Sequence, residues 1–237
     1  MDWVIWTIAG IILIGLVIGV YRGALRIAVS AATAVLTIFI AVAVAPVVTD
    51  AVVKYTPLDE SISEYVMKSM TKMTSSFLTE SEEAVVELPR DVQMKAIEMS
   101  DFPDVFKRLL TENNNPEIYG ELGVETFAQY VGTFLSRLVI RIAVFAILLL
   151  LVTIILRAIV FALNVIKKIP VFGFANRLAG GAIGMVCSLL VVWFLMLIVI
   201  LMYSTDIGKQ IHETILGNAY IRIIYENNPL FNLSIKF

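Results

Sequence analysis

The chain has 237 residues, of which 59% are hydrophobic and 16% charged, and its formal net charge is −2. A mean hydropathy of +0.88 means that it carries more apolar surface than one soluble core of this size hides. This composition argues against an ordinary soluble domain. With no basic excess, it also argues against a nucleic-acid partner.

Two uncharged runs open the chain, at residues 3–20 and 27–49. A helix needs about 20 apolar residues to cross roughly 30 Å of hydrocarbon, so we expect membrane helices over 3–20 and 27–48, forming a first hairpin within 1–49. The basic turn Tyr21–Arg26 joins them. A cleaved signal peptide is disfavoured because Asp2, and no basic residue, precedes Trp3.

Residues 50–136 hold 16 acidic and 7 basic residues, which indicates an aqueous domain. Its apolar residues follow helical spacing, as at Ile62, Tyr65 and Val66, and predict a bundle of about four short helices. Pro89 and Pro103 suit the first position of two of them.

A second hairpin is predicted within 137–205, with helices over 138–163 and 180–203. Arg141 and Arg157 are about 24 Å apart on a helix, so each guanidinium can reach its nearer interface. The tail, 206–237, has Ile207, Ile211 and Ile215 spaced by four, and we expect an amphipathic helix with His212 at its surface.

The basic residues set the expected topology. The two short turns, 21–26 and 157–177, hold six basic residues and no acidic ones. Since positively charged short loops stay in the cytoplasm, the N-terminus, the acidic domain and the C-terminal tail are expected outside.

Small residues recur every four positions on three of the predicted helices. Such faces let helix backbones approach closely in lipid, so we expect ordinary bundle packing, with a homo-oligomeric seam as the alternative. The three sets are Gly15, Gly19 and Gly23; Ala24, Ala28 and Ala32; and Gly180, Gly184 and Ser188.

Five arginines lie at the predicted interfaces. Arg22 and Arg177, each near glycines, anchor the turns to anionic headgroups or meet a partner backbone or a phosphate. Arg137, Arg141 and Arg157 are expected to anchor the third helix, and the first two can also pair with carboxylates such as Glu121 or Glu125.

No motif points to catalysis. The sequence has one His, one Cys and no metal-binding or phosphate-binding motif, and no acidic residue lies within a predicted span. We therefore expect no enzymatic activity, no cofactor and no metal site. Cys187 is expected to be a small packing residue.

The two turns carry a family resemblance. The segment from Gly19 to Gly23, with Arg22 between them, resembles the Gly-x-x-Arg-Gly of the colicin V production protein family. The segment from Gly173 to Gly184 is similar to that family's Asp-Arg-x-x-Gly-x-x-x-Gly, with Asn176 in place of the Asp. Besides Asn176, the residues of this segment that carry the resemblance are Gly173, Arg177, Gly180 and Gly184.

The resemblance covers about residues 1–49 and 138–205. It implies an integral protein of the bacterial cytoplasmic membrane, linked to colicin V production or export and to envelope maintenance, without catalysis. The expected fold is an all-α membrane protein of four helices in two hairpins, with an outer helical domain and tail. Expected partners are the bilayer, a second copy, or envelope proteins that meet the outer domain. The alternative function is a small oligomeric channel or transporter.

Overall fold

The computed structural model describes residues 3–75, 89–162 and 173–235, with side chains from 69 to 75 left out. All regular secondary structure in these ranges is helical. Four helices are long and apolar enough to cross a membrane: α1 (Trp3–Arg22), α2 (Ala24–Tyr55), α7 (Phe127–Ala162) and α8 (Phe174–Leu201). The expectation of an all-helical protein with four such helices is confirmed.

The first turn is a single residue. Gly23, with φ +74°, separates α1 from α2, a left-handed conformation that glycine adopts without a Cβ clash. Helix-type hydrogen bonds continue on both sides, from the Gly23 N–H to the Gly19 carbonyl at 2.9 Å and from the Ile27 N–H to the Gly23 carbonyl at 3.1 Å. The residues from Tyr21 to Arg26, expected as a loop, are therefore mostly helical.

Two long helices extend beyond the uncharged runs. α2 continues past Asp50 to Tyr55 and ends just before Pro57, since the residue preceding a proline disfavours helix. α7 begins at Phe127 and runs without a break. The Thr126 hydroxyl accepts from the Gln129 N–H at 3.3 Å, and the Gln129 side chain accepts from the Thr126 N–H at 3.2 Å, which is a capping box.

The chain forms two compact units, one of residues Val48–Arg141 and the other of Met1–Val47 with Ile142–Phe237. The first contains the short helices α3 (Leu58–Ser75), α4 (Arg90–Met99), α5 (Asp104–Asn113) and α6 (Pro116–Leu122). Pro89 and Pro103 occupy N-cap positions, one residue before the predicted position.

Tyr130 lies at the centre of this first unit. Its side chain is fully buried, its hydroxyl donates to the Leu110 carbonyl at 2.7 Å, and its ring stacks on Tyr119 at 4.9 Å. Tyr65 was expected on a buried helix face but is exposed, whereas Val66 is buried as expected.

The tail folds back along α8 as three short helices: α9 (Asp206–Leu216), α10 (Ala219–Glu226) and α11 (Pro229–Ser234). Asn228 is 2% exposed and donates to the Trp193 carbonyl at 3.0 Å. In return, the Trp193 indole donates to the Ile224 carbonyl at 2.9 Å. Trp193 is eight residues before the end of α8, so the tail packs along the helix rather than only beyond it.

Two expectations for the tail are wrong. His212 is buried at 3% exposure, with its ring edge-on to Tyr203 at 5.0 Å and Tyr225 at 5.4 Å. The buried face of α9 carries Gly208, His212 and Ile215, whereas Ile207 is exposed. The His212 ring packs here against two tyrosine rings, and Gly208 packs closely against the Met202 carbonyl.

Candidate functional site at the junction of α1 and α8

The small-residue faces of α1 and α8 lie against each other. A Cβ placed on Gly19 would collide with the Gly180 carbonyl, one on Gly180 with the Gly19 carbonyl, and one on Gly184 with the Gly15 carbonyl. The two backbones are therefore in direct contact, and every one of these positions requires a hydrogen as its side chain. Without such contacts, lipid tails would solvate these helix faces as well as a partner would.

The contact continues along both helices. A Cβ on Gly15 would stand 2.5 Å from the Ser188 Cβ, and the Ser188 hydroxyl donates to its own helix, at the Met185 carbonyl, 2.7 Å away. Because Gly15 faces Ser188 while Gly19 faces Gly180, the two helices run antiparallel. The C-terminal end of α1 and the N-terminal end of α8 thus meet at one end of this unit.

Asn176 joins the second turn to the first. Its Oδ1 accepts a hydrogen bond of 3.3 Å from the backbone N–H of Leu25. Leu25 is the second residue of α2, where N–H groups have no partner within their own helix. Asn176 therefore caps α2 from a different helix. Its Nδ2 is buried and has no hydrogen-bond partner in the described part of the chain.

A cavity of about 570 Å³ lies beside this junction. Arg26 and Arg177 supply its positive charge, Tyr21 supplies a phenol, and α1 supplies an apolar wall. An anionic group that enters this cavity from the hydrocarbon of a membrane would contact both the basic side chains and the apolar wall. The wall residues of α1 are Leu16, Val17 and Val20.

Other predicted residues lie apart from this cavity. Arg22 is exposed and forms no ion pair with a carboxylate in the described residues. Gly173 is the N-cap of α8, with φ +60°. Ala28 and Ala32 are exposed, so this part of the second small-residue face has no partner helix among the residues that the structure describes. Ile27, Ala41 and Ala45 form part of the buried face of α2 instead.

The arginines of α7 have surroundings other than those expected. Neither Arg137 nor Arg141 forms an ion pair with Glu121 or Glu125 among the residues the structure describes, and the charged groups that act on Arg141 are Arg137 and Asp50. The alternative of pairing with these carboxylates is therefore not seen in the described residues, and Glu125 precedes the N-cap of α7. Arg157 is exposed near the other end of α7.

One contact of this arrangement could not be found from sequence patterns. The hydrogen bond between Leu25 and Asn176 joins residues 151 positions apart, and no local signal marks it. The expected turn residues from 163 to 172 lie outside the described residues. Within those described, no group of three or more His, Cys, Asp or Glu side chains is placed to hold a metal ion.

The comparisons with known proteins identify one segment. A family model described as colicin V production protein matches residues 118–224, which include α7, α8, the second turn and much of the tail, but not the segment from Gly19 to Gly23. Searches of curated proteins and of solved structures found no match. Residues 118–224 are therefore similar to the colicin V production protein family, and the four membrane-length helices indicate a multi-pass membrane protein.

Proposed function

We propose that this chain is a non-enzymatic accessory or scaffold protein of the bacterial cytoplasmic membrane, acting in toxin production or export or in envelope homeostasis. The family match supports a role in toxin production. The observation that carries the scaffold role is the backbone contact of α1 with α8.

The contact favours a fixed platform because backbone meets backbone at three of its glycines, Gly19, Gly180 and Gly184. Gly19 and Gly180 each meet the other's carbonyl, so a sliding or opening motion would have to separate two backbones in contact. The junction holds Arg26 and Arg177 beside one cavity. A pair of basic side chains at a fixed end of a helix bundle is suited to bind a partner or lipid, rather than to conduct a solute.

The proposed orientation follows the basic residues. The junction faces the cytoplasm, and both termini and the acidic unit lie outside. In this arrangement the acidic unit, residues 48–141, would meet envelope partners, and the exposed face with Ala28 would remain available to lipid or a second copy.

The test combines toxin secretion with a matched pair of glycine variants. In cells that carry colicin V genes and lack this protein, we expect the wild type and Gly10→Leu to restore secretion, since a Cβ on Gly10 meets nothing within 4 Å. Gly19→Leu should fail, because its side chain would meet the α8 backbone. Immunoblots of the membrane fraction control for protein level.

Two outcomes would contradict the proposal. One is full secretion with Gly19→Leu at a normal membrane level, which would leave the junction without a role. The other is solute or ion flux through liposomes containing the purified protein, abolished by a substitution within a span, which would favour a channel or transporter.

A further inference from the structure

A second cavity, of about 220 Å³, lies between α2, α7 and α8 within their apolar lengths. Its walls are mostly apolar, and two of its lining residues, Leu150 and Val191, are also about half exposed. The cavity therefore opens sideways, toward the surface of the bundle that hydrocarbon covers. From Ser30 to Ile38, both of which line it, α2 rises about 12 Å.

The cavity contains a hydroxyl without a partner. Thr37 lines it, is 2% exposed, and its Oγ1 has no hydrogen-bond partner in the described part of the chain. A threonine within a helix commonly donates to the carbonyl four residues earlier, as Thr33 does to Val29 at 2.7 Å and Thr7 to Trp3 at 2.8 Å. Thr37 does not do so, and its hydroxyl is left for something in the cavity.

The cavity also has one charged lining residue, Arg157 of α7. Arg157 is near the C-terminal end of its helix and is exposed, so its guanidinium can reach the headgroup region while its stem lies along the cavity. Thr153, one turn earlier on the same helix, adds a further hydroxyl to the wall.

We propose that this cavity is a binding groove for one acyl chain of an anionic phospholipid. The phosphate lies at Arg157, and the chain lies along the apolar wall as far as Thr37. The mostly apolar wall favours hydrocarbon over a polar solute. The small volume admits a single chain, since pockets for compact drug-sized ligands are usually about 300 Å³ or larger. The proposal does not depend on the proposed accessory role.

The experiment uses the purified, delipidated full chain in detergent, with phosphatidylglycerol that carries a photoreactive diazirine on one acyl chain. After irradiation, mass spectrometry locates the adducts. We expect them to concentrate on the lining segments of α2 and α8, around Thr37 and from Cys187 to Phe194. A phosphatidylcholine probe should give about fivefold fewer adducts. One basic residue near an anionic membrane surface strengthens binding by about this factor.

Two pairs of variants separate the groove from general lipid contact. Arg157→Gln should lower the phosphatidylglycerol adducts about fivefold, whereas Arg22→Gln, which removes an exposed arginine outside the groove, should not. Thr37→Phe places a ring in the path of the chain and should lower the adducts, whereas Thr7→Phe, on exposed α1 outside the cavity, should not. An excess of inorganic phosphate should leave the adducts in place, because it lacks the chain.

Three results would overturn the proposal. Adducts spread evenly over outward residues of α1, such as Leu13 and Val17, would indicate only annular lipid. Equal effects of Arg157→Gln and Arg22→Gln would indicate general attraction to basic residues. Displacement of the probe by inorganic phosphate would indicate an anion site without a chain groove. A normal size-exclusion profile for Thr37→Phe shows that its loss of adducts is not a loss of folding.

Discussion

The backbone N–H of Leu25 donates a hydrogen bond to the Oδ1 of Asn176 at 3.3 Å, across 151 positions of sequence. It fastens the start of α2 to the start of α8, next to the place where Gly19 and Gly180 bring α1 and α8 together. Three helix ends therefore meet at the two turns that resemble the family motifs. The hydrogen bond needs an acceptor at position 176, and the amide oxygen of Asn176 supplies it.

Asn176→Asp should stabilise the protein slightly. A carboxylate keeps the acceptor for Leu25, removes the unpartnered buried Nδ2, and lies at the N-terminal end of two helices, where negative charge contributes about 0.3–1 kcal/mol. Asn176→Leu should cost about 1 kcal/mol, as does the loss of an N-cap. Thermal unfolding in detergent, followed by circular dichroism, measures both. Equal stabilities of the two variants would contradict a capping role.

Gly19→Ala should destabilise the protein by about 1–3 kcal/mol, the usual cost of overpacking. The new methyl group would meet the Gly180 carbonyl, which belongs to a helix backbone and cannot move away as a flexible side chain would. Gly10→Ala is the matched control on the same helix, since its Cβ meets nothing within 4 Å. Denaturant unfolding in micelles compares them, and a similar midpoint for both variants would argue against backbone contact at Gly19.

Sequence patterns predicted the long helices well because hydrocarbon imposes a simple condition on them, a long uncharged run. They could not predict which helices pair. Small residues are equally regular around Gly19, Ala28 and Gly184, yet Ala28 is exposed while the two glycines are in contact across α1 and α8. Pairing depends on the shapes of both partners, and one helix shows only half of that information.

The tail shows a second limit of periodicity. The spacing of Ile207, Ile211 and Ile215 predicted an apolar buried face, but the face that packs includes Gly208 and His212. Apolar residues indicate burial only where the alternative is water. Beside a membrane, an exposed Ile207 costs little, and the residues that fit closely against the Met202 carbonyl and the rings of Tyr203 and Tyr225 decide the orientation.

Cysteine labelling should reveal the orientation in the membrane. In a Cys187→Ser background, Glu121→Cys places a thiol on exposed α6, and Tyr21→Cys places one at a side chain that is 85% exposed. We expect a membrane-impermeant maleimide to label position 121 in intact spheroplasts and position 21 only after the membrane is permeabilised. The reverse pattern would place the basic turns outside, against the positive-inside rule.

Asn228→Ala should destabilise the protein by about 3 kcal/mol. The buried Asn228 side chain donates to the Trp193 carbonyl at 3.0 Å and accepts from the N–H groups of Leu230 at 3.0 Å and Phe231 at 3.3 Å, and each bond contributes about 0.5–1.5 kcal/mol. Asn227→Ala is the control, because its exposed side chain donates only to the Ile223 carbonyl and should change stability by less than about 0.5 kcal/mol. In a background with Trp3→Phe and Trp6→Phe, the fluorescence of Trp193 during unfolding reports on this contact. If the two variants unfold at the same midpoint, the tail does not depend on Asn228 for its attachment to α8, and the buried hydrogen bonds are offset by solvation in the unfolded chain.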